Sequence, residues 1–220
     1  MKRTISILIL FFAISAESQS ILQIDSLNIQ ICKSLEKFDS LDELKFQGVL
    51  QNHMPDFYTH YKIDTKSKSD SLMDLVYYRL QKNCNTFVVL MSKLEENKSD
   101  WGMSDLKPES EISESELKNF FLFKKLHYKE YDGKIAMVNR DSNLWSEKFE
   151  DGSSSKLEFK KTSESTFVLK FIESNNEMRK NLSVKGEEFK YGIYGKGQNY
   201  YSAWVQSKEG KYYTFKLYLE

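Results

Sequence analysis

An α+β fold is predicted for this chain of 220 residues, with a helical N-terminal part followed by an antiparallel β-meander of roughly eight or nine strands. The hydrophobic period predicts it, because apolar residues recur every three or four positions up to residue 94 and every second position after residue 117. Between these parts, residues 95–116 carry eight acidic and two basic side chains. We therefore expect a signal peptide at 1–18, a helical domain at 19–94, an acidic linker at 95–116 and an antiparallel β domain at 117–220.

The composition excludes several classes of protein. Hydrophobic residues make up 40% of the chain, and its 15 Phe, 13 Tyr and 3 Trp make it too apolar to stay disordered. Its 32 basic and 32 acidic residues cancel. A nucleic-acid-binding protein needs an excess of Lys and Arg to neutralise phosphates, so no nucleic-acid partner is expected.

The N-terminus has the layout of a secretory signal peptide. Lys2 and Arg3 precede an apolar run over Ile5–Ile14, and small residues at Ala16 and Ser18 offer a cleavage site after Ser18. That run is too short to cross a bilayer, which takes about 20 residues. No later stretch is long and apolar enough either. We expect an exported protein, periplasmic or secreted, without a membrane span.

Two cysteines remain in the exported chain, Cys32 and Cys84. In an oxidising compartment a pair of thiols is typical of one disulfide, which would stabilise the fold by about 4 kcal/mol. The alternatives are a catalytic thiol and a metal pair. The three histidines, at positions 53, 60 and 127, have no zinc-type spacing to either cysteine, so no metal site is predicted.

Three helices are expected in the N-terminal part. Ile24, Leu27, Ile31, Leu35 and Phe38 form the apolar stripe of the first. Ser40 and Glu43 have capping-box spacing and predict the start of a second helix, which should end before Pro55. A third apolar face runs from Leu72 to Leu94 and includes Cys84, where that thiol could meet Cys32.

The C-terminal part predicts short strands joined by tight turns. Turn residues such as Asp132-Gly133, Asp151-Gly152 and Lys185-Gly186 recur at short intervals between segments rich in aromatic and β-branched residues. No segment between them is long enough for a crossover helix, so neighbouring strands should pair antiparallel. The expected result is a small up-and-down barrel or a strongly curled sheet.

The hairpin FEDGSSSKLEF (Phe149–Phe159) and the closing strand YYTFKLYLE (Tyr212–Glu220) carry a resemblance to the lipocalin-like β domains of exported bacterial proteins. The resemblance implies a barrel that holds a small hydrophobic molecule. Two features depart from it. The chain has no GxW motif near the first strand, and a helical part precedes the barrel.

Candidate site residues are few. No catalytic residues are predicted, since no histidine has a neighbouring nucleophile motif, and no cofactor is expected, because Gly195-Lys196-Gly197 lacks the rest of a phosphate loop. In the polar connection IESNNEMRKN, Asn175, Asn176 and Arg179 could converge on a carboxylate at a barrel mouth. Trp204, in the strand YYSAWVQ, completes the candidate ligand-binding set.

Three functions follow from these observations. The first is a non-enzymatic binding protein for a small apolar or amphiphilic ligand held by the β domain, because a sheet of this size carries more aromatic side chains than it must bury. The second is a protein-interaction, inhibitor or scaffold domain with a protein partner in the cell envelope. A hydrolase with its site at the junction of the two parts ranks behind both.

Overall fold

The computed structural model describes residues 21–40, 42–94, 100–208 and 210–220. The signal peptide predicted at 1–18 lies outside these residues. The chain divides between Met91 and Ser92 into two compact units, one helical and one built on a β-sheet. Within the described residues, no helix combines the length and apolar character needed to cross a bilayer.

The N-terminal helices are α1 over 21–35, α2 at Glu43–Tyr61, α3 at Lys66–Asn83 and α4 at Asn85–Leu94. Their apolar faces form one core. The buried residues of that core include Ile24, Leu27, Ile31, Leu35, Val49, Met54, Val76, Leu80, Phe87 and Leu90. The apolar spacing predicted for the first helix is confirmed, because four of its five stripe residues lie in this core.

Side-chain caps begin both middle helices. Asp42 Oδ1 accepts a hydrogen bond from the Lys45 N–H at 2.9 Å, and Thr65 Oγ1 accepts one from the Lys68 N–H at 3.4 Å. The predicted cap at Ser40 is wrong by two residues. An aspartate satisfies the free N–H groups of a first turn as well as a serine does, so Ser40 was not the only candidate.

The expectation that the second helix ends before Pro55 is also wrong, because α2 continues through Pro55 to Tyr61. A proline inside a helix removes one hydrogen bond and crowds the preceding turn. Burial of Val49 and Met54 on the same helix opposes that cost. The Thr59 hydroxyl donates to the Pro55 carbonyl at 3.0 Å.

Cys84 interrupts the apolar face predicted for the third helix. It has an extended backbone between the end of α3 at Asn83 and the start of α4 at Asn85, so the pattern to Leu94 is two helices. Asparagine side chains compete for backbone hydrogen bonds and favour helix ends, which explains a break here. The predicted Cys32–Cys84 disulfide is confirmed, with the two Cα atoms 5.5 Å apart.

The β unit is a nine-stranded antiparallel sheet in which eight strands close into a barrel. The strands are β1 Gly102–Ser104, β2 Lys125–Lys129, β3 Ile135–Arg140, β4 Leu144–Phe149, β5 Ser154–Lys161, β6 Thr166–Ser174, β7 Glu188–Lys196, β8 Tyr200–Gln206 and β9 Tyr212–Leu219. Closure follows because β9 pairs with both β8 and β2. The predicted α+β class and antiparallel meander are confirmed, and the sheet is a barrel.

Strand β9 changes its second neighbour along its length. Its residues 212–214 pair with β1, whereas 218–219 pair with β2. Trp101 lies at this fork, where its Nε1 donates to the Lys129 carbonyl at 2.6 Å and its ring stacks on Phe215 at 5.0 Å between centroids. Part of the stretch predicted as an acidic linker therefore packs within the β unit.

Two short helices lie at opposite ends of the barrel. Helix α5, Glu114–Phe120, leads into β2, and helix α6, Glu177–Leu182, connects β6 to β7. Since neighbouring strands are antiparallel, the β2–β3, β4–β5, β6–β7 and β8–β9 connections share one end. We call this the α6 end and the opposite one the α5 end.

Aromatic rings fill the waist of the barrel. Phe167 is fully buried and contacts Trp145, Phe159 and Tyr191, with ring centroids 5.8, 5.3 and 5.3 Å away. These contacts follow from the inward positions of alternating residues on β4 to β7. The interior is thus packed at its middle, and polar side chains concentrate towards the ends.

Candidate binding site at the α6 end of the barrel

A network of polar side chains lies at the α6 end. We call it the α6 cluster: Tyr128, Glu130, Trp145, Glu147 and Arg179. Arg179 Nη2 donates to Glu130 Oε1 at 2.5 Å and to the Tyr128 hydroxyl at 2.7 Å. Glu147 Oε1 accepts from the Tyr128 hydroxyl at 3.0 Å and from Trp145 Nε1 at 3.2 Å. One guanidinium and two carboxylates are therefore joined through a shared phenol.

The strand period explains why these residues meet. Trp145 and Glu147 are two positions apart on β4, and Tyr128 is an inward residue of β2, so all three face the barrel interior. Glu130 immediately follows β2. Arg179 comes from the first turn of α6 and closes the network from the connection above these strands.

Burial makes this network costly to charge. The side chains of Arg179, Glu130 and Glu147 are only 20%, 13% and 10% exposed. Burial raises the pKa of the Glu130 carboxyl above its ordinary value; Glu147 adds to the shift and Arg179 opposes it. Burial also acts to lower the pKa of Arg179, but Tyr128, Glu130 and Glu147 together raise it well above its ordinary value.

Arg179 and Glu147 form an ion pair without a hydrogen bond. Arg179 Nε lies 3.7 Å from Glu147 Oε2, which is longer than a hydrogen bond. Within the described part of the chain, that Nε atom is buried and has no hydrogen-bond partner. The network thus has a strong contact to Glu130 and unused hydrogen-bonding capacity beside Glu147.

Apolar residues form another wall of the same mouth. Phe189, Tyr191 and Val205 pack against the barrel core but remain partly exposed. Tyr191 and Val205 are directly paired across β7 and β8. Burial raises the pKa of the Tyr191 hydroxyl, and the charges of Glu147 and Glu130 add to the shift, which places Tyr191 beside the α6 cluster. The α6 mouth, the cluster together with these three residues, is polar on one wall and apolar on another.

The structure brings two of the predicted site residues next to Arg179, and their side-chain amides have hydrogen-bond partners within the connection and the neighbouring turn. Asn176 caps α6 by accepting from the Arg179 N–H at 3.1 Å. Its Nδ2 donates to Ser153 at 2.8 Å, and Asn175 Oδ1 accepts from the Ser154 N–H at 2.7 Å. Both asparagines therefore fix the α6 connection to the β4–β5 turn and so hold Arg179 in place.

Trp204 lies apart from the other three. It is buried against Gly192, where an added Cβ would come within 2.3 Å of its ring. Its neighbour Ala203 faces the barrel core, so strand alternation places Trp204 on the outer face of β8. There it contacts Tyr212 edge-on and lies under the Lys107 ammonium.

The α5 end has a buried arginine that the sequence analysis did not single out. Arg140 is 4% exposed, and its Nη2 donates to the Phe120 and Phe123 carbonyls at 2.8 and 2.5 Å. Its guanidinium lies over the rings of Phe120, Phe121 and Phe159. Burial lowers the pKa of Arg140 to about 10. The alternation Ala136, Val138, Arg140 was the signal that could have found it, because it places an arginine on the inward face.

A small polar pocket of about 170 Å³ opens near the fork in β9. Asp100, Ser202, Thr214 and Lys216 are among its lining residues. Asp100 already accepts from Lys216 Nζ at 2.9 Å and from the Tyr218 hydroxyl at 2.9 Å. The pocket is smaller than the several hundred Å³ of an ordinary ligand site, and its charges are paired within it.

Nucleophilic catalysis finds little support in the described residues. His53 Nε2 shares a hydrogen bond of 2.9 Å with the Ser34 hydroxyl. No ion pair joins His53 to a carboxylate in the described ranges, so the pair lacks the third group that orients a catalytic histidine. Groups of three or more potential metal ligands are likewise absent from the part of the chain that the structure describes.

Comparison with known proteins gives no match to this chain among protein-family models, curated proteins or solved structures.

Proposed function

We propose that the β unit is a binding module that holds a small amphiphilic molecule at the α6 mouth. The observation that carries this proposal is a buried polar network at one end of the barrel, next to partly exposed apolar side chains. Binding sites in barrels commonly combine apolar walls with a few fixed polar groups. In the α6 mouth the cluster supplies those groups, and Phe189, Tyr191 and Val205 supply the apolar wall.

The packed waist limits how the ligand is held. Because Phe167 stacks on Tyr191 and also contacts Phe120 at the end of α5, aromatic rings fill the interior from the mouth towards the α5 end, and the ligand stays in the mouth. Arg179 remains part of the proposed site because it holds Tyr128 and Glu130 in place at the mouth, with Asn175 and Asn176 as positioning residues. Trp204 lies on the outer face of β8, beside Tyr212 and Lys107, and is not part of this proposed site.

Export is part of the same proposal. The Cys32–Cys84 disulfide requires an oxidising compartment to persist, which agrees with a periplasmic or secreted protein. A protein partner in the envelope is the rival, and it requires an exposed apolar patch. Exposed large hydrophobic residues described in the β unit are Met103, Leu106, Leu122, Ile135 and Met137, of which Ile135 and Met137 share one face of β3.

Calorimetric titration of the full chain with octylamine, octanoate and octanol tests the proposal. The three probes share one apolar chain and differ in the head group. We expect saturable, one-to-one binding of at least one probe at pH 7.5. If none of the three binds, the proposed function is wrong, and a protein-interaction role in the envelope becomes the favoured hypothesis.

A matched pair of variants locates the site. Val205→Asn changes the apolar wall of the mouth, and Ile135→Asn makes a similar change on the outer face of β3. We expect V205N to weaken binding by about tenfold, because a polar group would replace an apolar contact. I135N should leave the affinity unchanged. Equal effects of the two variants on affinity would mean that the ligand binds elsewhere. Circular dichroism spectra of both variants are the control for folding.

A further inference from the structure

From the charges of the α6 cluster, we infer that the ligand of the α6 mouth carries a cationic head group, such as an aliphatic ammonium. The inference rests on the proposed function and names the class of its ligand. It concerns Glu130 and Glu147, which the sequence analysis did not select, and it replaces the ligand carboxylate expected beside Arg179 with a group of opposite charge.

The charge count of the cluster is the first argument. Two carboxylates share one guanidinium, and Arg179 makes its strong hydrogen bonds to Glu130 and Tyr128. The two glutamates therefore already occupy the place of a ligand carboxylate. An incoming anion would add a third negative charge around one cation, whereas an ammonium would complete the balance.

The second argument is that Glu147 Oε2 receives no hydrogen bond from Arg179. Glu147 is nine-tenths buried, and among the described residues its hydrogen-bond donors, Tyr128 and Trp145, both reach Oε1. Its Oε2 lies 3.7 Å from Arg179 Nε and so lacks a hydrogen bond from the guanidinium. A buried carboxylate gains most from a charge-assisted hydrogen bond, and an ammonium donates up to three such bonds.

Aromatic rings beside the carboxylates are the third argument. Tyr128 and Trp145 belong to the cluster, and Tyr191 forms the adjoining wall. Ring faces attract cations, and the attraction is stronger where water is excluded. Arg179 itself shows the effect, since its guanidinium lies 5.5 Å from the centre of the Phe149 ring. A mouth with carboxylates and ring faces favours ammonium over carboxylate or hydroxyl head groups.

The titrations with octylamine, octanoate and octanol at pH 7.5 also test this inference. We expect octylamine to bind at least about tenfold more tightly than either of the other probes. Octanoate or octanol binding as tightly as octylamine would overturn the inference and leave the proposed function standing. Absence of binding by all three would overturn both.

Isosteric variants then identify the groups responsible. Glu130→Gln and Glu147→Gln keep the side-chain shape but remove the charge, and each should reduce octylamine affinity by about tenfold and octanol affinity by less than that. Glu173→Gln is the control, because that carboxylate is exposed on β6 and pairs with Lys156. An equal loss in E173Q would mean attraction by the net surface charge and would overturn the assignment to the cluster.

Discussion

The two ends of the barrel each bury an arginine, and the two arginines have different partners. At the α5 end, Arg140 donates to two backbone carbonyls and lies among aromatic rings. At the α6 end, Arg179 meets two carboxylates and a phenol. Arg140 satisfies carbonyls at and just after the C-terminal end of α5, so it holds that helix end against the barrel. Arg179 holds ionisable side chains together, so the α6 end responds to charge.

The contrast shows which buried charge marks a site. Arg140 donates to backbone carbonyls, which do not titrate. In the described chain, burial is the cause of the change in its pKa. The hydrogen-bond and ion-pair partners of the Arg179 guanidinium, Tyr128, Glu130 and Glu147, are titratable side chains, and burial raises the pKa values of Glu130 and Tyr128. Perturbed titratable groups in one cleft are typical of functional sites.

Replacement of Arg179 should give the largest effect. Arg179→Met leaves Glu130 and Glu147 buried without their cation, and we expect the free energy of unfolding to fall by about 3–5 kcal/mol at pH 7.5. The loss should shrink at pH 5, because burial raises the pKa of the Glu130 carboxyl and favours its protonated, uncharged form. Urea unfolding at both pH values measures it.

Lys156→Met is the control for that variant, since it removes an exposed partner of Glu173. A change within about 0.5 kcal/mol is expected for such a pair. If R179M and K156M had similar effects, the α6 cluster would contribute no more than a surface ion pair.

Arg140→Met should have a smaller effect of different character. It removes the donor to the Phe120 and Phe123 carbonyls, which should cost about 1–3 kcal/mol. Since no carboxylate pairs with Arg140 in the described residues, the loss should be the same at pH 5 and pH 7.5. A strongly pH-dependent loss in R140M would remove the distinction between the two ends. The same urea titrations decide it.

Glu130→Gln should have the smallest effect on stability. It should mainly change how the free energy of unfolding varies with pH. The folded-state pKa of Glu130 is raised above 4.5, so the folded protein keeps this proton to higher pH than the unfolded chain. Stability from this group is therefore present at low pH and is lost as pH rises through the folded pKa. Relative to wild type, E130Q should gain stability between pH 4.5 and 7.5.

In the same unfolding series, Glu173→Gln should show the opposite trend: relative to wild type, its free energy of unfolding should fall as pH rises. The hydrogen bond and charge of Lys156 lower the pKa of Glu173, so its contribution is present above the unfolded pKa and lost as pH falls. Slopes of the same sign for E130Q and E173Q would contradict the burial-driven shift at Glu130.

Local pattern predicted most of the fold. Alternating apolar residues such as Ala136 and Val138 predicted the strands, and the short turns between them predicted antiparallel pairing. Closure was not predictable, because it depends on β9 pairing with β8 and β2 at once, and β2 is about ninety residues distant. Pro55 misled the prediction for α2, since tertiary burial overrode a local rule.

The candidate site was half predictable. Arg179 stood out as a rare arginine in a polar connection, and its place at a barrel mouth was expected. Its partners Glu130 and Glu147 were not, because they lie on other strands and resemble the many acidic residues of the chain. Only three-dimensional packing distinguishes a buried carboxylate from a solvated one.

The most direct test of the α6 mouth is the indole N–H signal of Trp145 in an amide-correlation NMR spectrum during octylamine titration. Trp145 Nε1 donates to Glu147, so its resonance reports on that carboxylate, while Trp204 on the outer face is an internal control. Trp145→Phe assigns the peak. We predict a saturable shift of the Trp145 signal and a stationary Trp204 signal. Binding of octylamine with Trp145 unmoved, or with Trp204 moved instead, would contradict a binding site at the α6 end.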